Sequence, residues 1–226
     1  MTQALAELRR AASGWGVELD DAQVDLLSRY CADVLAAGRR ANLTAAETAD
    51  DVLLRHIADG LACVPVLRAL ARTGSPEVLD VGSGAGFIGL SVKVAWPGAR
   101  VTLMEPRLKR YGFLSAAAAD LRLEGISLLR RRAEERRGGR AYDLVVARAL
   151  APVEEALAWT APWASAGGSI VLYQSAAPDP ESPALAAALK AAGASWGGIR
   201  PYRLPRESAD RCLAVFSRAL SPEAAH

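Results

Sequence analysis

Residues 77–90 read EVLDVGSGAGFIGL, an apolar strand pattern that runs straight into Gly82, Gly84, Gly86 and Gly89. Glycine loses more backbone freedom on folding than any other residue, so four in so short a stretch are an expensive way to make a plain turn. They make sense where the chain must bend through positive φ and where bare backbone must approach a ligand at the start of the next helix. A strand, a glycine-rich bend and a helix in that order point to the first unit of a doubly wound sheet, with a ligand crevice at the carboxyl ends of its strands.

The chain beyond fits that expectation. Short apolar runs at 100–105, 126–130, 142–147 and 168–173 alternate with helical stretches near 87–95, 107–121, 153–163 and 183–192, the pattern of α/β folds with a mostly parallel sheet. WGGIRPYRLP and RCLAVFSRA, late in the chain, are expected to form a closing hairpin, the second being the better strand. Before residue 75 the period is helical throughout. In 19–38, Val24, Leu27, Cys31, Val34 and Leu35 fall on one stripe at spacings of three and four, with Gly38 as the expected stop. Val52, Leu53, Ile57 and Leu61 continue an amphipathic pattern on a helix that also carries His56 and Asp59 one turn apart. The expected division is a helical region over 1–74 and an α/β domain over 75–226.

Composition narrows the chemistry. The only histidines are His56 and His226, so a histidine-based metal site or a Ser-His-Asp triad would rest on His56 alone. Cys31, Cys63 and Cys212 are isolated and read as small buried hydrophobes, not as a disulfide framework or a zinc cluster. No metal site is expected. No apolar run reaches the length of a membrane span and the start lacks a signal-peptide pattern, so a cytoplasmic protein without a membrane partner is expected. The net charge is +2, and arginine greatly outnumbers lysine, which occurs only at Lys93, Lys109 and Lys190. Arginine clusters therefore carry less weight than their number suggests.

The glycines suit two cofactors. Gly84, Gly86 and Gly89 satisfy the dinucleotide pattern G-x-G-x-x-G, with Glu105 about 20 residues on, where an acid holds a ribose diol. Gly82, Gly84 and Gly86 equally satisfy the tighter G-x-G-x-G turn that binds S-adenosylmethionine, whose ribose also meets an acid after the second strand. Some 75 helical residues precede the glycine strand, no catalytic domain follows the sheet and no Tyr-x-x-x-Lys pair occurs. These features favour the methyl donor over a nicotinamide-dependent oxidoreductase, which stays as the alternative.

NLTA (42–45), RHIADGL (55–61), LDVGSGAGFIGL (79–90), LMEPRLKRYGFL (103–114), RAEE (132–135) and ARA (147–149) follow one another in the order and spacing of the glucose-inhibited division protein B family, which this chain resembles over about residues 40–175. The resemblance implies a class I (Rossmann-like) methyltransferase with a seven-stranded sheet, S-adenosylmethionine as cofactor, and methylation of a guanine N7 in 16S ribosomal RNA. It implies a cofactor site of Asp80, Gly82, Gly84, Gly86, Phe87, Glu105, Ala133, Glu134 and Arg148. Arg148 is also the candidate catalytic residue, expected to hold a phosphate or the cofactor carboxylate, or to reach guanine O6 from the side. His56, Asp59, Arg107, Lys109 and Arg110 are candidates for the substrate side, and Arg130, Arg131, Arg132, Arg136, Arg137 and Arg140 could extend a basic surface at the same sheet edge. The implied partner is 16S ribosomal RNA or the small ribosomal subunit, met by a monomer.

Departures from the family pattern fall at Gly60 (usually serine), Ile88 (usually proline), Gln174 and Ser175 (usually Lys-Gly) and in the final SPEAAH, which is not a basic tail. They leave open a non-catalytic RNA-binding protein of the same fold. After the fourth strand the chain reads ARALAP, not the Asn/Asp-Pro-Pro-aromatic turn common in enzymes that methylate exocyclic amines. A guanine N7 needs alignment but no general base, because its lone pair is already free.

Overall fold

The computed structural model describes residues 2–41, 43, 46, 48–135 and 140–220. Asn42, Thr44 and Ala45 of the NLTA motif, Arg136 and Arg137, and the SPEAAH end lie outside the described residues. Seven strands, β1 (Glu77–Val81), β2 (Arg100–Met104), β3 (Ile126–Leu129), β4 (Tyr142–Ala147), β5 (Ala164–Gln174), β6 (Ala194–Tyr202) and β7 (Arg211–Arg218), form one sheet in the order β3-β2-β1-β4-β5-β7-β6. β7 runs antiparallel to both neighbours and the other pairings are parallel. The closing hairpin expected from sequence is therefore present, with its better strand on the inside and β6 as the edge.

Side chains alternate across each strand, and the alternation divides the core. Val78, Leu103, Leu144, Val146, Val171 and Leu213 face one apolar layer, built with α1 (Thr2–Gly14), α2 (Asp21–Ala41), α5 (Val64–Leu70), α6 (Gly89–Ala95) and α7 (Leu108–Asp120). Leu79, Val81, Val145, Ile170, Leu172 and Phe216 face the other, built with α8 (Val153–Thr160) and α9 (Pro183–Ala192). The first layer runs without a break from Ala4 and Leu8 to Leu213, so the N-terminal helices are part of the sheet's own packing. Cys31, Cys63 and Cys212 are free and buried.

Two local features differ from the periodicity reading. α2 continues through Gly38 to Ala41, because one glycine inside a helix costs only about 1 kcal/mol and does not forbid the conformation. The run that carries His56 and Asp59 consists of α3 (Ala49–Asp51), a π-helical stretch (Val52–Ile57) and α4 (Ala58–Ala62). A π-helical stretch within α-helix often marks a functional site, and the hydrophobic period of the sequence does not reveal it.

The departures at Gly60 and Ile88 are packing features. Both are buried, and a β-carbon on Gly60 would lie 2.1 Å from the Phe87 carbonyl oxygen and 2.8 Å from Ser91 Cβ. α4 thus presses on the backbone of the glycine bend, where no side chain fits between them. Gly60→Ala is expected to destabilise the protein by about 1–3 kcal/mol through overpacking. Gly38→Ala, with nothing within 4 Å of its β-carbon, is expected to stabilise it by roughly 0.5–1 kcal/mol. Thermal or denaturant unfolding of the two variants checks the contrast.

Candidate active site

The strand order reverses between β1 and β4, the topological switch point where open α/β sheets bind ligands. The glycine bend leaves β1 there. Gly82, Gly84 and Gly86 have φ of 71°, 61° and 88°, a region costly for any residue with a β-carbon. Three groups hold the bend from outside. The Tyr30 hydroxyl of α2 donates to the Ala85 carbonyl at 2.7 Å. Glu105 accepts from the Gly84 N–H at 3.0 Å through one carboxylate oxygen and from the Arg107 N–H at 2.9 Å through the other. Asp80 accepts from the Gly89 N–H at 2.9 Å, and burial pushes its carboxyl up to about 6. Phe87 is stacked on His56, with ring centroids 4.5 Å apart, and the Arg148 guanidinium carbon lies 5.6 Å from its ring centre.

Three hollows adjoin along this edge. A cleft of about 420 Å³ is lined by Gly82, Met104, Glu105, Arg107, Ala133, Glu134, Leu150 and Trp159, among others. A smaller hollow of about 210 Å³, with His56, Asp80, Phe87 and Arg148 in its wall, shares Gly82, Arg110 and Ala149 with it. A third, of about 490 Å³, opens past Ala149 and Leu150 at the ends of β4 and β5. Ala149 borders all three and is held at φ 51°, a strained left-handed conformation for an alanine. The cleft wall that follows β3 is braced by the Trp163 indole N–H, which donates to the Ala133 carbonyl at 2.8 Å.

The candidates do not all converge. Asp80, Gly82, Gly84, Phe87, Glu105, Ala133, Glu134, Arg110 and Arg148 line one hollow or another, whereas Gly86 is buried and turned towards Leu114 and Leu90, lining none of them. Arg107 is exposed at the rim, whereas Lys109 is exposed and lines none of these hollows. Arg140 pairs with Glu77 at the start of β1, so it belongs to the opposite, amino edge of the sheet and not to the basic surface expected there. Asp59 is fully buried, and its carboxylate is taken by protein groups: Arg148 at 2.6 Å, Arg211 at 3.5 Å and the Tyr202 hydroxyl. Gln174 and Ser175, the departures after β5, stand in the wall of the large cavity.

Tyr202, Glu207 and Arg211 were not foreseen as site residues. They lie on the closing hairpin, 143 or more positions from Asp59 in sequence, and no local motif marks them. Arg211 also makes two hydrogen bonds to Glu207, each at 3.0 Å. Burial and the Asp59 charge push the Tyr202 phenol up, which keeps it a donor.

The chain matches the family described as rRNA small subunit methyltransferase G over residues 23–196. It is 31% identical to the ribosomal RNA small subunit methyltransferase G of Roseiflexus castenholzii, over 96% of this chain and 93% of that one. The chain belongs to this family. A second relative carrying the same name, from Myxococcus xanthus, is 36% identical over 85% of this chain and 87% of its own length. Among solved structures, the magnesium protoporphyrin IX methyltransferase of Synechocystis PCC 6803, with bound SAM, superposes with a TM-score of 0.59 at 18% identity, covering 88% of this chain and 98% of that one. TrmN from Thermus thermophilus superposes at 0.55 with 20% identity, over 74% and 53% of the two chains. These likenesses establish a class I methyltransferase fold, and membership of this family sets aside the nicotinamide-dependent oxidoreductase.

His56 is the site's one described histidine, and burial, then the nearby Arg148 charge, lower it to about 4. In the unfolded chain it would titrate near about 6.5, so protonation favours unfolding. The stability it contributes is complete above the unfolded value and is lost as pH falls towards 4. Asp80, raised to about 6, acts in the opposite sense, contributing stability that is lost as pH rises through its folded value. An NMR titration of the His56 ring is expected to show a midpoint near 4; an ordinary midpoint would contradict the packing against Phe87 and Arg148.

Proposed function

We propose that the protein is an S-adenosylmethionine-dependent methyltransferase acting on a guanine N7 of 16S ribosomal RNA. What carries this reading is the glycine bend lying directly against the buried Glu105, beneath a cleft that leads past Ala149 into a second cavity. The residues present suit the cofactor. Glu105 offers carboxylate oxygens at the cleft floor for ribose hydroxyls, and Gly82 and Gly84 leave backbone uncovered beside it. Met104, Ala133, Leu150 and Trp159 give apolar faces for an adenine, with Glu134 at the rim. Asp80 and Phe87 border the smaller hollow next to the bend. Arg148, which borders both that hollow and the large cavity, is placed to hold the amino-acid carboxylate.

When bound, the cofactor supplies an electrophilic methyl group on a positively charged sulfur. The protein's residues position the base and exclude water. N7 has a free lone pair and no proton to lose, so alignment alone gives a large share of the rate. That economy matches a site in which neutral His56 is stacked on a ring and Asp59 is fully engaged. As parts of the same reading, residues 1–74 form the helical wall and 75–226 the methyltransferase domain, and the enzyme is a cytoplasmic monomer that meets its RNA on the small subunit. Among the described residues no helix is long and apolar enough to cross a membrane. Arg107, Arg110, Arg130, Arg131 and Arg132, at the carboxyl ends of β2 and β3, supply the basic approach for RNA phosphates.

Incubation with radiolabelled S-adenosylmethionine is expected to label 16S RNA in small subunits isolated from cells that lack this enzyme, as 7-methylguanine in the digest; label in another nucleoside, or none, would refute the reading. Binding to RNA is expected to weaken steeply with added salt, and Arg131→Gln with Arg132→Gln to flatten that slope by up to about two units. Glu105→Gln is expected to weaken cofactor binding about 10–100-fold in calorimetry, from the roughly 1.5–3 kcal/mol of hydrogen bonds to a charged group.

A further inference from the structure

The large cavity holds an unusual charge arrangement. Its wall carries the carboxylates of Asp59, Glu207 and Asp210 and the guanidiniums of Arg148 and Arg211. Asp59 is the member with no solvent exposure, whereas the side chains of Arg148 and Arg211 keep 25% and 31% of theirs. One Asp59 oxygen takes both guanidiniums, the other takes the Tyr202 hydroxyl, and its backbone carbonyl accepts from the Tyr173 hydroxyl at 2.8 Å. The donors come from the end of β4, the end of β5 and both strands of the closing hairpin, while Asp59 itself sits on α4, directly after the π-helical stretch. One carboxylate thus fastens three separated regions of the chain around one cavity.

Methylation of N7 makes the base a cation. A guanidinium beside it attracts RNA phosphates during approach and repels the product charge during transfer, unless an anion lies against it. In a site shielded from water this repulsion is far stronger than in solution. We propose that Asp59 is the positioning residue of this site: its buried carboxylate fixes Arg148 and Arg211 in the cavity wall and, with Glu207 paired to Arg211, offsets their charge where the base becomes positive. The inference rests on the proposed methyltransferase reading, with the reacting guanine entering this cavity past Ala149. It assigns a function to the hairpin, because Tyr202 and Arg211 complete the set of donors that keeps the Asp59 carboxylate in place.

The test compares single-turnover methyl transfer at saturating cofactor and RNA for the parent chain, Asp59→Asn, Arg148→Gln and the double variant, with thermal unfolding as a control for folding. Asp59→Asn removes the negative charge at constant shape and is expected to slow transfer by about 100-fold, the scale of losing one preorganised electrostatic group, with RNA affinity retained. Because the two residues act as a unit, the double variant should be no slower than the slower single variant. Parental rates in Asp59→Asn, or losses that multiply in the double variant, would overturn the proposal. Should Asp59→Asn fail to fold, Tyr202→Phe removes one donor to Asp59 and leaves every charge in the wall, and transfer slowed by about 10-fold or more is expected from the loss of a single hydrogen bond to a charged group; a parental rate in Tyr202→Phe would overturn it equally. A parent chain that methylates nothing would defeat the functional reading and this inference together, whereas an active parent with unaffected variants would defeat the inference alone.

Discussion

The structure is organised around backbone that nothing may cover. The glycine bend after β1 adopts positive φ three times, and its neighbours approach to distances that a single β-carbon would prohibit. Gly60 of α4 rests against the Phe87 carbonyl, and a β-carbon on Gly89 would lie 2.2 Å from Leu103 Cδ2. Such close contact is possible because the bend's polar groups are satisfied from outside by Tyr30, Glu105 and Asp80. A buried backbone group without such a partner would cost more than the packing returns. The N-terminal helices are therefore needed for the site's shape: α2 and α4 supply two of the surfaces that keep the bend in place.

Much of this was legible in the sequence, for a physical reason. The sheet, its helices and the glycine bend are specified by local patterns, a period of two against one of 3.6 and a glycine spacing that only a sharp bend explains. The place of Glu105 beside the bend could be read because it follows the glycine strand at a fixed distance along the chain. The large cavity could not be read in this way. Tyr202 and Arg211 meet Asp59, with Glu207 held on Arg211, only because β7 inserts beside β5, and nothing in the local sequence of the hairpin marks a residue that will face a carboxylate on α4. The π-helical turn was hidden for a related reason, since Val52, Leu53 and Ile57 satisfy an ordinary amphipathic helix equally well. Arginine number misled where position decides: Arg140 neutralises Glu77 at the far edge of the sheet, whereas Arg110 borders the cleft.

The charge pattern divides along the same trough. At the β2 and β3 ends the rim is dominated by cations, suited to a polyanion. Past Ala149 the wall turns to carboxylates paired with guanidiniums, suited to a neutral base that leaves as a cation. On the proposed reading, attraction of the nucleic acid and tolerance of the product fall to different stretches of one surface, joined at a strained alanine.

On the proposed reading, the bend and Glu105 together hold the nucleoside of the methyl donor. A crystal structure of the protein grown with S-adenosylhomocysteine tests it most directly. The nucleoside is expected in the cleft of about 420 Å³, its ribose hydroxyls on Glu105 and its adenine between Met104 and Ala133. Density for the compound elsewhere, or a cleft filled by solvent alone at saturating concentration, would contradict it.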